Sequence, residues 1–232
     1  GLEQALVEAK NHIHYRGELP HGQGRGIACA FYLGGGCHSS ATLHLKESGK
    51  LSLLVGTPDI GGSRASMALM VAETLDVPVE SVVPQVADTE SVGFSDVTGG
   101  SRVTVATGTV VVQAAEMIKQ ELCSRAALIW EENIDDISWE LGAAHSKIGD
   151  KTLSIEELAR SAFKTGGTIS VSESVNATNA APSCCVNIID VDIDRETGKV
   201  DVTKVTVFQD AGRAIHPDFV EGQMQGGVAQ GI

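Results

Sequence analysis

Two polar four-residue turns decide which class of fold is open to this chain. Glu47-Ser48-Gly49-Lys50 separates strand-forming runs at 41–45 and 51–55, and Arg195-Glu196-Thr197-Gly198 separates runs at 186–192 and 200–208. Connections this short join only antiparallel neighbours, because a parallel pair needs a crossover of about a dozen residues. Helical spacing occupies much of the remainder. Leu2, Leu6, Ala9 and Ile13 line one face before Gly17. Met67, Leu69, Met70, Ala72 and Leu75 lie between Ser63, placed as a helix cap, and Pro78. A long helix is predicted over 104–128, a short one from the capping box Ser154-Ile155-Glu156-Glu157 to about Phe163, and a last one from Pro217 towards Ile232. Further strands are predicted at 26–33, 82–86 and 169–175, short ones within 130–152, and a polar loop at 87–98. Hairpins among helices, without strict β-α-β alternation, predict an α+β fold with antiparallel or mixed sheets and packed helices. The expected division is a first α+β subdomain at 1–129 and a second portion at 130–232, incomplete at its C-terminus.

The 17 basic and 30 acidic residues leave a net charge of −13, which excludes a basic nucleic-acid coat. Aromatics make up 4% of the chain, so the core must come from Val, Ile, Leu and Ala. The 5 cysteines are odd in number and lack Cys-x-x-Cys spacing, which points to a reducing compartment. The N-terminal residues lack the charged and apolar regions of a leader, and no window approaches about 18 uninterrupted apolar residues. A soluble, cytoplasmic protein without a membrane partner is the expectation. The bare Gly1 and the stop at Gly231-Ile232, inside a Gly/Gln-rich pattern, suggest a piece of a longer chain.

Gly-Gly-Ser-Arg occurs at 61–64 and again at 99–102, each time before a predicted helix. Helix starts offer unpaired amides and partial positive charge, glycines let backbone close on a ligand, and the Arg64 and Arg102 guanidinium forks suit phosphate. Two copies suggest a ligand with more than one anionic group; the alternative is two capped helix starts. The run Gln223-Met224-Gln225-Gly226-Gly227-Val228-Ala229-Gln230-Gly231 places glycines inside a helix at about 1 kcal/mol each relative to Ala. Either close approach of a cofactor or tight helix–sheet packing would account for them.

Other features read as structural. Gly34-Gly35-Gly36 and Gly166-Gly167 lack the Lys-Ser/Thr of a phosphate loop and are expected turns. Cys184 and Cys185, adjacent on a strand, should point to opposite faces, one buried and one partly exposed. The 7 histidines lack metal-ligand spacing, so no protein-ligated metal is expected. Asp190, Asp192 and Asp194 read as a solvated strand edge.

Taken in order, the segments at 56–62 (Gly-Thr-Pro-Asp-Ile-Gly-Gly), 98–102 (Thr-Gly-Gly-Ser-Arg), 194–200, 209–217 (Gln-Asp-Ala-Gly-Arg-Ala-Ile-His-Pro) and 222–231 resemble one family. It is the molybdopterin-binding part of the molybdenum hydroxylases, the large chains of the xanthine dehydrogenase and aldehyde oxidase family with their carbon monoxide dehydrogenase relatives. The resemblance runs from about Gly24 onward. It implies a molybdenum-pyranopterin, in bacteria usually as its cytosine dinucleotide, and an enzyme that hydroxylates an aldehyde or N-heterocycle with oxygen from water. Iron–sulfur and FAD-carrying subunits or domains would accept the electrons. The cofactor positions map onto Gly61, Gly62, Ser63, Gly99, Gly100, Ser101 and Arg102, and onto Gln223, Gly226, Gly227, Gln230 and Gly231; Arg64 is added on the physical argument alone.

Two departures from the family stand out. Gly62 stands where many relatives carry a glutamine that approaches the metal's oxygen ligand. The family's catalytic glutamate matches no residue here, Glu221 included, so no catalytic residue is assigned and the isolated chain is expected to be inactive. The alternative reading is a non-catalytic module for a phosphate ligand, or a degenerate cofactor domain.

Overall fold

The computed structural model describes residues 1–86, 88–178 and 181–232. Ala87, first residue of the expected 87–98 loop, lies outside them. In chain order the elements are α1 (Leu2–Asn11), α2 (Ile13–Arg16), β1 (Gln23–Gly34), β2 (Cys37–Leu45), β3 (Leu51–Val55), α3 (Ser63–Leu75), β4 (Val82–Val86) and α4 (Val103–Trp130). There follow β5 (Ile137–Glu140), β6 (Ala143–Ser146), β7 (Thr152–Ser154), α5 (Ile155–Thr165), β8 (Ser170–Ala177), β9 (Ala181–Ile193), β10 (Val200–Asp210) and α6 (Pro217–Gly231). Helices and antiparallel or mixed sheets make this an α+β fold, as the hairpin turns require. No helix among the described residues is long and apolar enough to cross a membrane.

The chain divides into two compact units, one of Gly1–Gly34 with Ala181–Ile232 and the other of Gly35–Ala180. The boundary expected at 129/130 instead falls at the last turn of α4, inside the second unit. Hydrophobic periodicity reports local structure, whereas this division is set by the pairing of β1 with β9, whose partners run from Gln23↔Asp192 to Gly34↔Ala181.

In the unit of residues 35–180, β4-β3-β2-β8 form a sheet in which only β3 and β4 are parallel. The crossover between those two strands is α3. Ala41, Leu43 and Leu45 alternate with Ser40, Thr42 and His44, so one face of β2 is apolar, and Leu43, Leu51 and Leu53 are wholly buried. Val110, Val111, Ala114, Ala115, Ile118 and Leu122 recur at three- and four-residue steps along α4 and share that core with Met67, Val71 and Leu75 of α3. Burial of this stripe outweighs the modest helix propensity of the early Val and Thr residues. Pro84 is tolerated because β4 is an edge strand. The strands β5-β6-β7 form a second small sheet.

The capping box at the start of α5 is formed. Glu157 N–H donates to Ser154 Oγ at 3.3 Å and Ser154 N–H to Glu157 Oε2 at 2.8 Å. Ser154→Ala is expected to lower stability by about 1 kcal/mol, read from the urea midpoint at unchanged slope.

In the other unit, β9 is the central strand between β1 and β10, all antiparallel. Cys184, Val186, Ile188 and Asp190 are its buried face, against Ala5 and Ala9 of α1. Cys185 is only half-buried, as alternation predicts. The expectation of a solvated strand edge is corrected at Asp190, which is 6% exposed on a central strand. Arg25 grips its carboxylate through Nε at 2.7 Å and Nη2 at 2.8 Å, and His14 Nε2 lies 3.1 Å from Oδ2. Thr206 Oγ1 meets His14 Nδ1 at 2.6 Å, and Arg25 Nη1 donates to the carbonyls of Tyr15 and Gly17, each at 2.8 Å. This knot ties the end of α2 to the sheet. Hydrogen bonding from Arg25, helped by His14, holds the Asp190 carboxyl below the usual carboxylate range against the opposing effect of burial.

Candidate functional site

The two Gly-Gly-Ser-Arg copies fold differently. In the first, Gly61 and Gly62 both have positive φ (62° and 77°), Gly62 is the N-cap, and Ser63 is the first helical residue. Ser63 is therefore not the cap expected from sequence; its hydroxyl accepts from Ile60 N–H at 3.3 Å. In the second, the positive-φ pair moves one residue along, to Gly100 (67°) and Ser101 (56°), and Arg102 becomes the N-cap of α4. Ser101 thus holds a conformation that side chains other than those of Asn and Asp seldom adopt, a form of strain that concentrates at functional sites.

The helix starts also differ in charge. Asp59 Oδ1 accepts from Arg64 N–H at 3.0 Å, and its Oδ2 pairs with Arg64 Nε at 3.3 Å. A carboxylate of the chain therefore already sits on the α3 start, where the macrodipole favours it. No side chain caps α4. The two copies, read from sequence as pointing to a ligand with more than one anionic group, thus differ in the charge at their helix starts, and Asp59 is a residue that sequence reading passed over. Its signal was present: an acidic residue just ahead of a helix that opens on two glycines.

Arg102 is 3% exposed and its fork faces inward. Nε donates to the Gly36 carbonyl at 2.8 Å, Nη1 to the carbonyls of Asp96 at 3.0 Å and Val97 at 3.3 Å, and Nη2 to the His38 carbonyl and to Ser39 Oγ at 2.6 Å. A guanidinium has five N–H groups, and all are engaged. The free phosphate fork expected from sequence is absent.

The loops that lead into α3 and α4 meet. A Cβ on Gly56 would lie 2.8 Å from Ser95 Oγ, and one on Gly93 would lie 2.8 Å from Ser40 Oγ, so both positions need glycine for close approach. His38 N–H donates to Asp96 Oδ2 at 2.9 Å, and Asp96 N–H returns a bond to the His38 carbonyl at 3.0 Å.

In the other unit, α6 carries Gln223, Gly226, Gly227, Gln230 and Gly231, and Pro217 is at its first turn. It has no buried residue. A Cβ on Gly222, Gly226, Gly227 or Gly231 would meet nothing within 4 Å among the described residues. Tight packing within this unit therefore does not explain these glycines. Grooves of about 640 Å³ and 540 Å³ flank the helix. Val205, Val207, Met224 and Val228 line both, Glu221 lines the first, and Gln223, Gly227 and Gly231 line the second. No cluster of metal-ligating side chains occurs among the described residues.

A model of the molybdopterin cofactor-binding domain matches residues 5–232. The xanthine dehydrogenase molybdenum-binding subunit of Escherichia coli O157:H7 is 27% identical, over 100% of this chain and 34% of its own length. The nicotine 6-hydroxylase large subunit of Paenarthrobacter nicotinovorans is 30% identical, over 84% of this chain and 25% of its own length. The chain thus spans about a third or less of the curated relatives it matches. Among solved structures, carbon monoxide dehydrogenase from Oligotropha carboxidovorans superposes with a TM-score of 0.81 at 22% identity, covering 97% of this chain and 30% of that one. That likeness establishes a shared fold.

Proposed function

The chain belongs to the molybdopterin cofactor-binding domain family, and from that premise we propose that it helps to hold a molybdenum-pyranopterin in a hydroxylase of the xanthine dehydrogenase and aldehyde oxidase type. The observation that carries the reading is the α4 start. It is uncapped, is preceded by the left-handed Gly100–Ser101 pair, and is backed by the buried Arg102 cation, which suits an anionic group. Gly99, Gly100 and Ser101 would hold that group through backbone and hydroxyl. Gly61, Gly62 and Ser63 would offer backbone alone, because Asp59 already neutralises the α3 start. Arg64 is tied to Asp59 and Arg102 to the chain's own acceptors, so neither is proposed as a phosphate fork. On α6, Gln223, Gly226, Gly227, Gln230 and Gly231 are proposed contacts, with the open glycines in support.

When bound, the cofactor supplies a redox-active metal held by its dithiolene. The proposed form is the cytosine dinucleotide, the substrate a small aldehyde or N-heterocycle, and the electron acceptors iron–sulfur and flavin partners. Gly62 bears on the substrate side, because its left-handed backbone is one that a glutamine would adopt only under strain.

The test is the molybdenum-to-protein ratio, with the nucleotide freed on denaturation, for the full-length protein from cells that make the cofactor. Near-stoichiometric molybdenum with a cytidine nucleotide is the expected result. A metal-free protein from such cells would overturn the reading in favour of a phosphate-binding or degenerate module.

A further inference from the structure

We infer that Arg102 is a positioning residue that never touches the cofactor, and that it locks the 96–101 loop to the start of β2 so that the α4 amides stay presented. The inference rests on the cofactor reading above for its function, and on geometry alone for the lock. Its five donors go to Gly36, His38 and Ser39 on one side and to Asp96 and Val97 on the other, so one planar group joins two segments far apart in sequence. None of these acceptors is a carboxylate. Asp96 offers Arg102 its carbonyl and turns its carboxylate to His38 N–H. Buried positive charge thus persists beneath the loop.

The arginine of the other copy shows that the tetrapeptide does not dictate this role. The Arg64 side chain is 46% exposed and pairs with Asp59 across its own helix start. At 102 the adjoining residues, Gly100 and Ser101, hold left-handed backbone. Such a pair relaxes unless its surroundings fix it, and the fork on Asp96 and Val97 supplies the fixing. Lysine cannot replace it, having three donors on a compact ammonium and no planar spread.

The experiment uses the full-length protein with Arg102→Lys, read by hydrogen exchange without cofactor and by cofactor content at low and high salt. Exchange in 96–101 and 36–39 is expected to quicken by about tenfold or more while α5 stays protected. Cofactor content should fall at least about fivefold, with the same salt dependence as the parent, because the lost interaction is buried and unscreened. Parent-like loop exchange with a flattened salt dependence would overturn the inference and make Arg102 a direct ligand.

Should Arg102→Lys fail to fold, Ser39→Ala removes one of the five acceptors. It is expected to quicken loop exchange by about threefold, and no change there would equally overturn the lock. A parent protein devoid of cofactor would instead count against the cofactor reading, leaving the exchange measurement to decide the role of Arg102.

Discussion

Asp190→Ala is expected to cost about 2–3 kcal/mol of stability, on the order of 5–10 °C in melting temperature. The loss follows from what remains behind. Arg25 and His14 would keep their places against the sheet with no anion between them, and Arg25 would hold only the carbonyls of Tyr15 and Gly17. Charge left without its partner at a partly buried site is among the named causes of losses of this size.

The pH dependence has a definite sign. The folded-state pKa of Asp190 lies below its unfolded value of about 3.9, so its contribution is complete above that pH and is lost as pH falls through the lower, folded value. The parent should therefore steepen in acid sensitivity below about pH 4, and Asp190→Ala should flatten there. Chemical unfolding across pH 2–7 reads both effects. A loss under about 1 kcal/mol, with no change in acid slope, would refute the knot as a stabilising element.

Gly36→Ala should be more damaging still, exceeding about 4 kcal/mol and leaving little soluble protein. Its Cβ would lie 1.7 Å from the Ala177 carbonyl oxygen and 2.5 Å from the carbon. These are backbone atoms of β8, which pairs there with β2 (Cys37↔Ala177), so no side-chain rotation relieves the clash. Relief requires the strands to part, and it would displace the Gly36 carbonyl from Arg102. Gly35 provides the control, because a Cβ there meets nothing within 4 Å. Gly35→Ala should stay within about 0.5 kcal/mol of the parent. Equal yields and melting temperatures for the two variants would contradict the close approach at Gly36.

The elements legible in the sequence were those that local chemistry specifies. The Glu47–Lys50 turn, the Ser154–Glu157 box and Pro217 each act within a few residues, and each feature lies where it was read. The pairing of β1 with β9 was not legible, because nothing near Gln23 names Asp192 as its partner. Asp190 shows the same limit more sharply. Its neighbours Asp192 and Asp194 are acidic and lie near a turn, so the alternation looked solvated, while the arginine that changes its meaning is Arg25.

At the candidate site, sequence located the tetrapeptides and the α6 glycines but not their conformations. Identical residues at 61–64 and 99–102 fold one residue out of phase, because Asp59 captures the first helix start whereas buried carbonyls capture the second arginine.

The discontinuous unit also has a consequence for synthesis. β1 leaves the ribosome well before β9, with all of residues 35–180 between them. At about 5–20 residues per second, β1 waits roughly 7–30 s for its partner. During that interval the inserted unit can fold to completion, while Ile27, Phe31 and Leu33, still half-exposed or more in the finished fold, have no sheet to join. The nascent chain is therefore expected to engage a holding chaperone through β1, and slower translation of the insert should lengthen that engagement.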